Sequence, residues 1–296
     1  MKKKIKISDT VVYTICFLIV LSYCLIIVAA LIWALMSSFK APLLDFIGNP
    51  VSLIPEHWAN NYTGKKGALQ MLKVSVSGAG IASKFVYMPN MFLNSVLYTI
   101  LSVSAAIICK SLVAYLCARY KFFGNKIIYI TVWLVMMIPI FGTLPSSIRI
   151  NRELNIYNTF FSIFVMNFSF DGTYFLVLHT AFSGIPKDYF DAANIDGAGH
   201  FGMMWHIGFP MTKTVISAMV VLSAIGAWNN YSTPLVFLPK YPTIAYGLYY
   251  IQNNPEGILP PVQLAAAMMT SIPLVIMFIC FRNKIMGNLA VGGLKG

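Results

Sequence analysis

Charge is scarce in this sequence: Asp, Glu, Lys and Arg make up 10% of its 296 residues, and the acids number only nine. A water-soluble chain carries about 25% charge. The histidines, His57, His179, His200 and His206, share no spacing, so no metal site is expected. The five cysteines, Cys16, Cys24, Cys109, Cys117 and Cys280, fall in or beside apolar stretches without paired or metal-ligand spacing, and read as core residues. No Gly-x-x-x-x-Gly-Lys-[Ser/Thr] occurs. Gly64-Lys65-Lys66-Gly67 lacks both the hydroxyl residue and the flanking strand pattern of a phosphate loop. Internal repeats and low-complexity linkers are missing as well. These absences exclude a soluble enzyme, a nucleic-acid-binding domain and a disordered tail, although a net charge of +12 would suggest nucleic acid in a soluble chain.

What is present is apolar sequence, 58% of the chain. A bilayer-spanning helix needs about 20 apolar residues, and each central charge costs it roughly 3 kcal/mol. Uncharged runs of 30, 25, 22, 26 and 25 residues follow Asp9, Lys84, Lys126, Lys213 and Glu256. A sixth candidate, Tyr157 to Phe182, is interrupted only by Asp171. The expected fold is therefore an all-α membrane protein with six transmembrane helices, at about 11–36, 92–117, 127–147, 158–182, 215–237 and 263–281. The first run is too long for a signal peptide and reads as an uncleaved anchor.

The basic residues orient it. With the N-terminus inside, the inner regions hold twelve Lys and Arg, among them Lys2, Lys3, Lys4, Lys6, Arg119, Lys121, Lys126, Lys187 and Lys213. The short outer loops hold Arg149, Arg152 and Lys240, so the bias favours both termini in the cytoplasm, with anionic lipid as the default partner. Residues 1–10 form a basic cytoplasmic N-terminus, 11–282 the six-span domain, 40–90 an extracellular segment, 183–213 a cytoplasmic loop and 283–296 a cytoplasmic tail. The extracellular segment, with Pro42, Pro50, Pro55 and several Gly, reads as irregular with one short helix. Its Asn61-Tyr62-Thr63 matches a glycosylation sequon, a pattern that also arises by chance.

The loop at 183–213 carries the strongest signal. Pro186 and Gly197 bracket a helix of about ten residues, with Asp188 in its first turn where the helix dipole favours an acid. Ala192 and Ala193 present almost no bulk. A second short piece, Phe201 to Gly208, runs into Pro210. Three acids, Asp188, Asp191 and Asp196, lie where topology by itself favours base. This describes an acidic docking surface; the competing reading is a helix lying flat on the inner leaflet, but such helices are usually Lys/Arg-rich.

Asp191-Ala192-Ala193, Asp196-Gly197-Ala198 and Ile207-Gly208-Phe209-Pro210 resemble the EAA loop of ABC importer permeases, the inner-membrane components of binding-protein-dependent transport systems. Asn94-Ser95, Ala114-Tyr115, Pro139, Ile225 to Tyr231 and the tail Gly292 to Gly296 extend the likeness to MalG-type carbohydrate permeases. Asp191 stands where the family has Glu, and Phe209 where it has Leu. The resemblance implies a type I ABC importer transmembrane domain whose loop is a coupling helix. ATPase-coupling residues would be Asp188, Asp191, Ala192, Ala193, Asp196, Gly197, Ile207 and Pro210. It implies a second homologous permease, two copies of a cytoplasmic ATPase that binds the ATP and Mg, an extracellular solute-binding protein, and a carbohydrate, more an oligosaccharide than a monosaccharide. The chain itself would hold no cofactor and catalyse nothing.

Inside the membrane, Lys110 reads either as a snorkelling or packing residue or as a functional charge. Asp171 marks either a break in the fourth span facing a cavity or the outer surface before the span begins. Trp228, Asn229, Asn230 and Tyr231 combine amides with aromatic faces, which suits a sugar in a pathway, and equally suits interhelical hydrogen bonding. A rival function is an ion-coupled transporter acting without an ATPase, which needs a carboxylate relay for which only Asp171 qualifies. A membrane enzyme would need clustered His, Asp or Glu at one depth.

Overall fold

The computed structural model describes residues 7–64, 66–78, 81–138, 142–253 and 258–289. Lys2, Lys3, Lys4 and Lys6, Lys65, Pro139, Glu256 and the tail from 290 lie outside the described residues. Two compact units divide the chain, one of residues 1–72 with 250–271 and one of 73–249 with 272–296.

The first unit begins with α1 (Ile7–Ser37), a helix whose side chains from Val11 to Ile32 are all exposed. An uncharged, apolar surface of that length is stable in lipid rather than water. Its polar end is folded back by hydrogen bonds. Lys40 is fully buried and donates to the carbonyls of Asn49 and Pro50. A π-helical turn, Pro42–Phe46, places Asp45 against His57, and the short α2 (Ala68–Met71) follows. Asn61 is buried, and its amide donates to the carbonyls of Ser38 and Lys40. The sequon nitrogen at Asn61 is therefore occupied inside the fold.

The second unit starts with a feature that the expectation of an irregular segment missed: an antiparallel hairpin, β1 (Lys73–Gly78) and β2 (Ile81–Tyr87), with Val76 opposite Lys84 and Val74 opposite Val86. Next comes α3 (Met88–Arg119), with Pro89 in its first turn. At 32 residues it is about 48 Å long. Ser95, Thr99, Ser102, Ala105 and Ala114 are buried along it, and small side chains let neighbouring helices approach closely.

After Gly124, at φ 102°, α4 (Asn125–Met137) turns back; it ends ten residues before the expected limit of 147. The next segment is a separate amphipathic helix, α5 (Leu144–Glu153). The fourth expected span is two helices, α6 (Phe160–Asn167) and α7 (Thr173–Ser183), separated at 168–172 with Gly172 at φ 87°. α3 packs against both halves and against the fifth span.

The loop holds α8 (Asp188–Ile195). α9 (His200–Met203), a π turn at Met204–Gly208 and α10 (Phe209–Asn229) then form one continuous helix. The fifth span thus begins well before 215 and stops short of 237. Pro210 does not end the preceding piece. Proline removes an N–H and crowds the carbonyl four residues back. The π turn just before it, closed by the Phe209 N–H on the Met204 carbonyl, widens the helix there. The chain continues through α11 (Ser232–Phe237), α12 (Ile244–Asn253) and α13 (Pro260–Leu289).

Candidate functional site

The loop after α7 is anchored by aromatic packing. Tyr115 of α3 is almost fully buried and meets Phe182, Phe190 and Phe209 with ring centroids 5.4, 6.5 and 6.5 Å away. Gly208 lies so close beneath it that a Cβ there would stand 2.7 Å from Tyr115 Cε2. Phe190 is buried and also touches the guanidinium of Arg119, whose carbon is 3.5 Å from the ring centroid. Arg119 also reaches the Lys187 carbonyl at 3.4 Å. Tyr120 and His200 form a second tie, hydroxyl to Nδ1 at 3.1 Å.

One face of α8 is thereby fixed and the other is open. The helix ends in a Schellman pair, with Ala198 N–H donating to the Ala193 carbonyl and Gly197 N–H to that of Asn194. Gly197 has φ 78° and open space around it. Its role is therefore conformational, set by the left-handed backbone.

Asp188, Asp191, Ala192 and Asp196 are exposed, and none of the three carboxylates has an ion-pair partner among the described residues. Beside them stand apolar side chains in the open: Ile195 at 87% exposure, Phe201 at 84%, Trp205 at 65%. Asp191 lines a shallow hollow with Arg119, Lys187, Asn194 and His200. Ala193 and Ile207 pack against the core instead, and Pro210 is exposed at the start of α10.

Of the intramembrane candidates, the structure joins two that the sequence left apart. Lys110 Nζ is 3.5 Å from Asp171 Oδ1, and donates to the carbonyl and hydroxyl of Ser169 at 2.9 and 3.3 Å. Ser169 Oγ in turn donates to Asp171 at 2.6 Å. Lys110 thus fills the gap where the α6–α7 break frees backbone carbonyls, rather than snorkelling. A lone opposite charge at membrane depth was the available signal.

The 228–231 cluster separates. Trp228 is buried, edge-on to Phe92 at 5.5 Å. Asn229 donates to the Ile225 carbonyl. Asn230 Oδ1 accepts from the Thr233 N–H and from Ser232 Oγ, opening α11. Tyr231 stacks on Tyr249, with centroids 4.3 Å apart and planes at 11°. Asn94 and Ser95 hold the 242–244 turn, through the Pro242 carbonyl and the Ile244 N–H.

In the first unit, Asp45, Glu56 and His57 place their ligand-type atoms within 4.8 Å of one another. Asp45 there accepts from the His57 backbone N–H at 2.6 Å and lies 2.7 Å from the ring Nδ1. Burial pushes the Asp45 carboxyl up, but these bonds to His57 outweigh it and hold the carboxyl below its ordinary range.

Among the described residues, four helices long and apolar enough to cross a bilayer, with a folded acidic loop leading into one of them, define a polytopic membrane protein. More narrowly, the chain belongs to the family described as binding-protein-dependent transport system inner membrane component, which it matches over residues 110–283. It is 31% identical to the arabinooligosaccharides transport system permease protein AraQ of Halalkalibacterium halodurans, over 69% of this chain and 74% of that protein. It is 23% identical to the maltodextrin transport system permease protein MalD of Streptococcus pneumoniae, over 100% of both. Its fold is similar to that of a chain in the crystal structure of a bacterial ABC transporter involved in the import of the acidic polysaccharide alginate. The TM-score is 0.74 at 17% identity, covering 95% of this chain and 99% of the other. The fold is that of an ABC importer's membrane subunit.

Proposed function

We propose that this chain is the permease subunit of an ATP-driven importer of a carbohydrate, an oligosaccharide, in a bacterial cell membrane. It lies with six spans and both termini inside. Relatives named for arabinooligosaccharides and maltodextrin support the substrate class. A second related permease completes the pathway, two copies of an ATPase hold the ATP and Mg, and an extracellular binding protein delivers the sugar.

The observation that carries this reading is the geometry of α8. Its inner face is clamped by Arg119 and Tyr115 through Phe190, while Asp188, Asp191, Ala192, Ile195 and Asp196 face outward. An apolar patch rimmed by unpaired acids fits a socket with an apolar floor and basic edge on a partner protein. Asp188, Asp191, Ala192 and Asp196 would touch that partner; Ala193, Gly197, Ile207 and Pro210 would hold the helix in position for it. For the pathway, Tyr231 and Asn229 are the exposed members of their cluster, and Asp171 stands beside the broken span.

The test is co-purification and uptake. Ile195→Asp and Asp191→Arg should each release the ATPase and abolish sugar uptake while membrane levels stay normal. Uptake that persisted without the ATPase, driven by an ion gradient, would favour the ion-coupled alternative. Against that alternative, Asp171 is already paired with Lys110 and is no free relay carboxylate.

A further inference from the structure

A cavity of about 360 Å³ opens at the end of α3 remote from Arg119. Its walls come from the hairpin, the first turns of α3 and the turn at 240–241, and among the described residues they carry two lysines and no acid. Lys84 and Lys240 have no carboxylate within 4.0 Å among the described residues. Two like charges at one hollow repel each other, so the arrangement stores an attraction for an anion.

The walls are built rather than incidental. The alternation of a strand puts Val76, Lys84 and Val86 on one face of the hairpin. That face is also the side of Val74, which is buried. The opposite wall is pinned at both ends. Asn158 Oδ1 accepts the Lys240 backbone N–H at 3.0 Å, and the Pro242 carbonyl and Ile244 N–H bond to Asn94 and Ser95. Tyr241 packs its ring 5.2 Å from Phe160 while remaining partly exposed. Asn90 adds an amide.

The geometry points to a binding site for an acidic sugar, a uronate unit of an oligosaccharide, at this cavity. Two ammonium groups meet the carboxylate, the amide of Asn90 suits ring hydroxyls, and Tyr241 with the valines suits the apolar face of the ring. The volume falls within the range of small-ligand pockets, about 300 to 1,000 Å³. This deepens the importer reading by naming its substrate class and rests on that reading for its biological sense. Binding itself requires no ATPase, so the two fail separately.

The experiment uses the full chain in nanodiscs, titrated by calorimetry with digalacturonate and, as the neutral match, galactobiose. Expected is a preference of about tenfold or more for the acid, fading at high salt because the lysines are exposed. Lys84→Met with Lys240→Met should erase it, and Lys84→Arg with Lys240→Arg should keep it, all with unchanged melting temperature. Equal binding of both sugars would overturn the proposal, as would preference surviving in the double Met variant. Binding of a glutamate-rich peptide with no uronate binding would also overturn it and make the cavity a protein-docking site.

Discussion

The guanidinium of Arg119 lies 3.5 Å from the centre of the Phe190 ring, which also meets the ring of Tyr115 at 6.5 Å. These two contacts join the end of α3 to α8. Such cation–π contacts contribute about 0.5 to 2 kcal/mol, and truncating a buried Phe costs about 3 to 5 kcal/mol. Phe190→Ala is therefore expected to lower the melting temperature more than Arg119→Ala, and both to weaken ATPase co-purification. Equal melting temperatures for the two variants would show that the ring is not clamped.

Two glycines of the loop should respond differently to substitution. At Gly197, with φ 78° and open space, Gly197→Ala should cost about 1 to 2 kcal/mol, and Gly197→Asn less, because Asn tolerates the left-handed region. At Gly208, Ala meets Tyr115 at 2.7 Å and overpacking costs about 1 to 3 kcal/mol. Tyr115→Leu should relieve the second strain and leave the first unchanged. Thermal unfolding of the four single and two double variants checks both.

Lys110→Met removes the ion-pair partner of Asp171 and the side-chain donor to the Ser169 carbonyl, leaving Asp171 the Ser169 hydroxyl. Asp171 is 54% exposed at its side chain, so the loss is expected near 1 kcal/mol rather than the several of a sealed pair. Asp171→Asn should cost less, since Asn still accepts from Ser169. A double-mutant cycle in thermal unfolding should show coupling; additive effects would mean that the pair contributes nothing.

Acid should act on the Asp45–His57 turn. A carboxyl held below its ordinary value of 3.8 in the folded state adds stability above that pH, and the contribution is lost as pH falls through the lower folded value. Hydrogen exchange at the His57 amide should stay slow down to about pH 3.8 and quicken below it. Asp45→Asn should raise exchange at neutral pH and flatten the acid dependence.

Charge gaps were enough to expose the long helices, because lipid tolerates no alternative composition, and the acid-alanine-glycine pattern was enough to locate α8 and its end at Gly197. The hairpin has a local signal. Lys73 to Gly78 alternates apolar and polar residues and runs into glycine, the signature of a strand entering a turn, and the surrounding prolines drew the reading towards irregular chain. Pairing Lys110 with Asp171 required knowing that α3 packs against the break between α6 and α7, a long-range contact that local sequence does not encode. The same holds for Trp228, whose aromatic ring is equally at home facing a sugar or, as here, buried against Phe92.

Because the π turn lets the chain pass Pro210 without breaking, His200 and Asn229 are opposite ends of one 30-residue shaft, about 45 Å from tip to tip. A shaft of that length is a geometric amplifier: ten degrees of tilt at the His200 end sweeps the Asn229 end through about 8 Å. A displacement too small to see at the His200 foot is thus, at the far tip, as large as a sugar ring is wide.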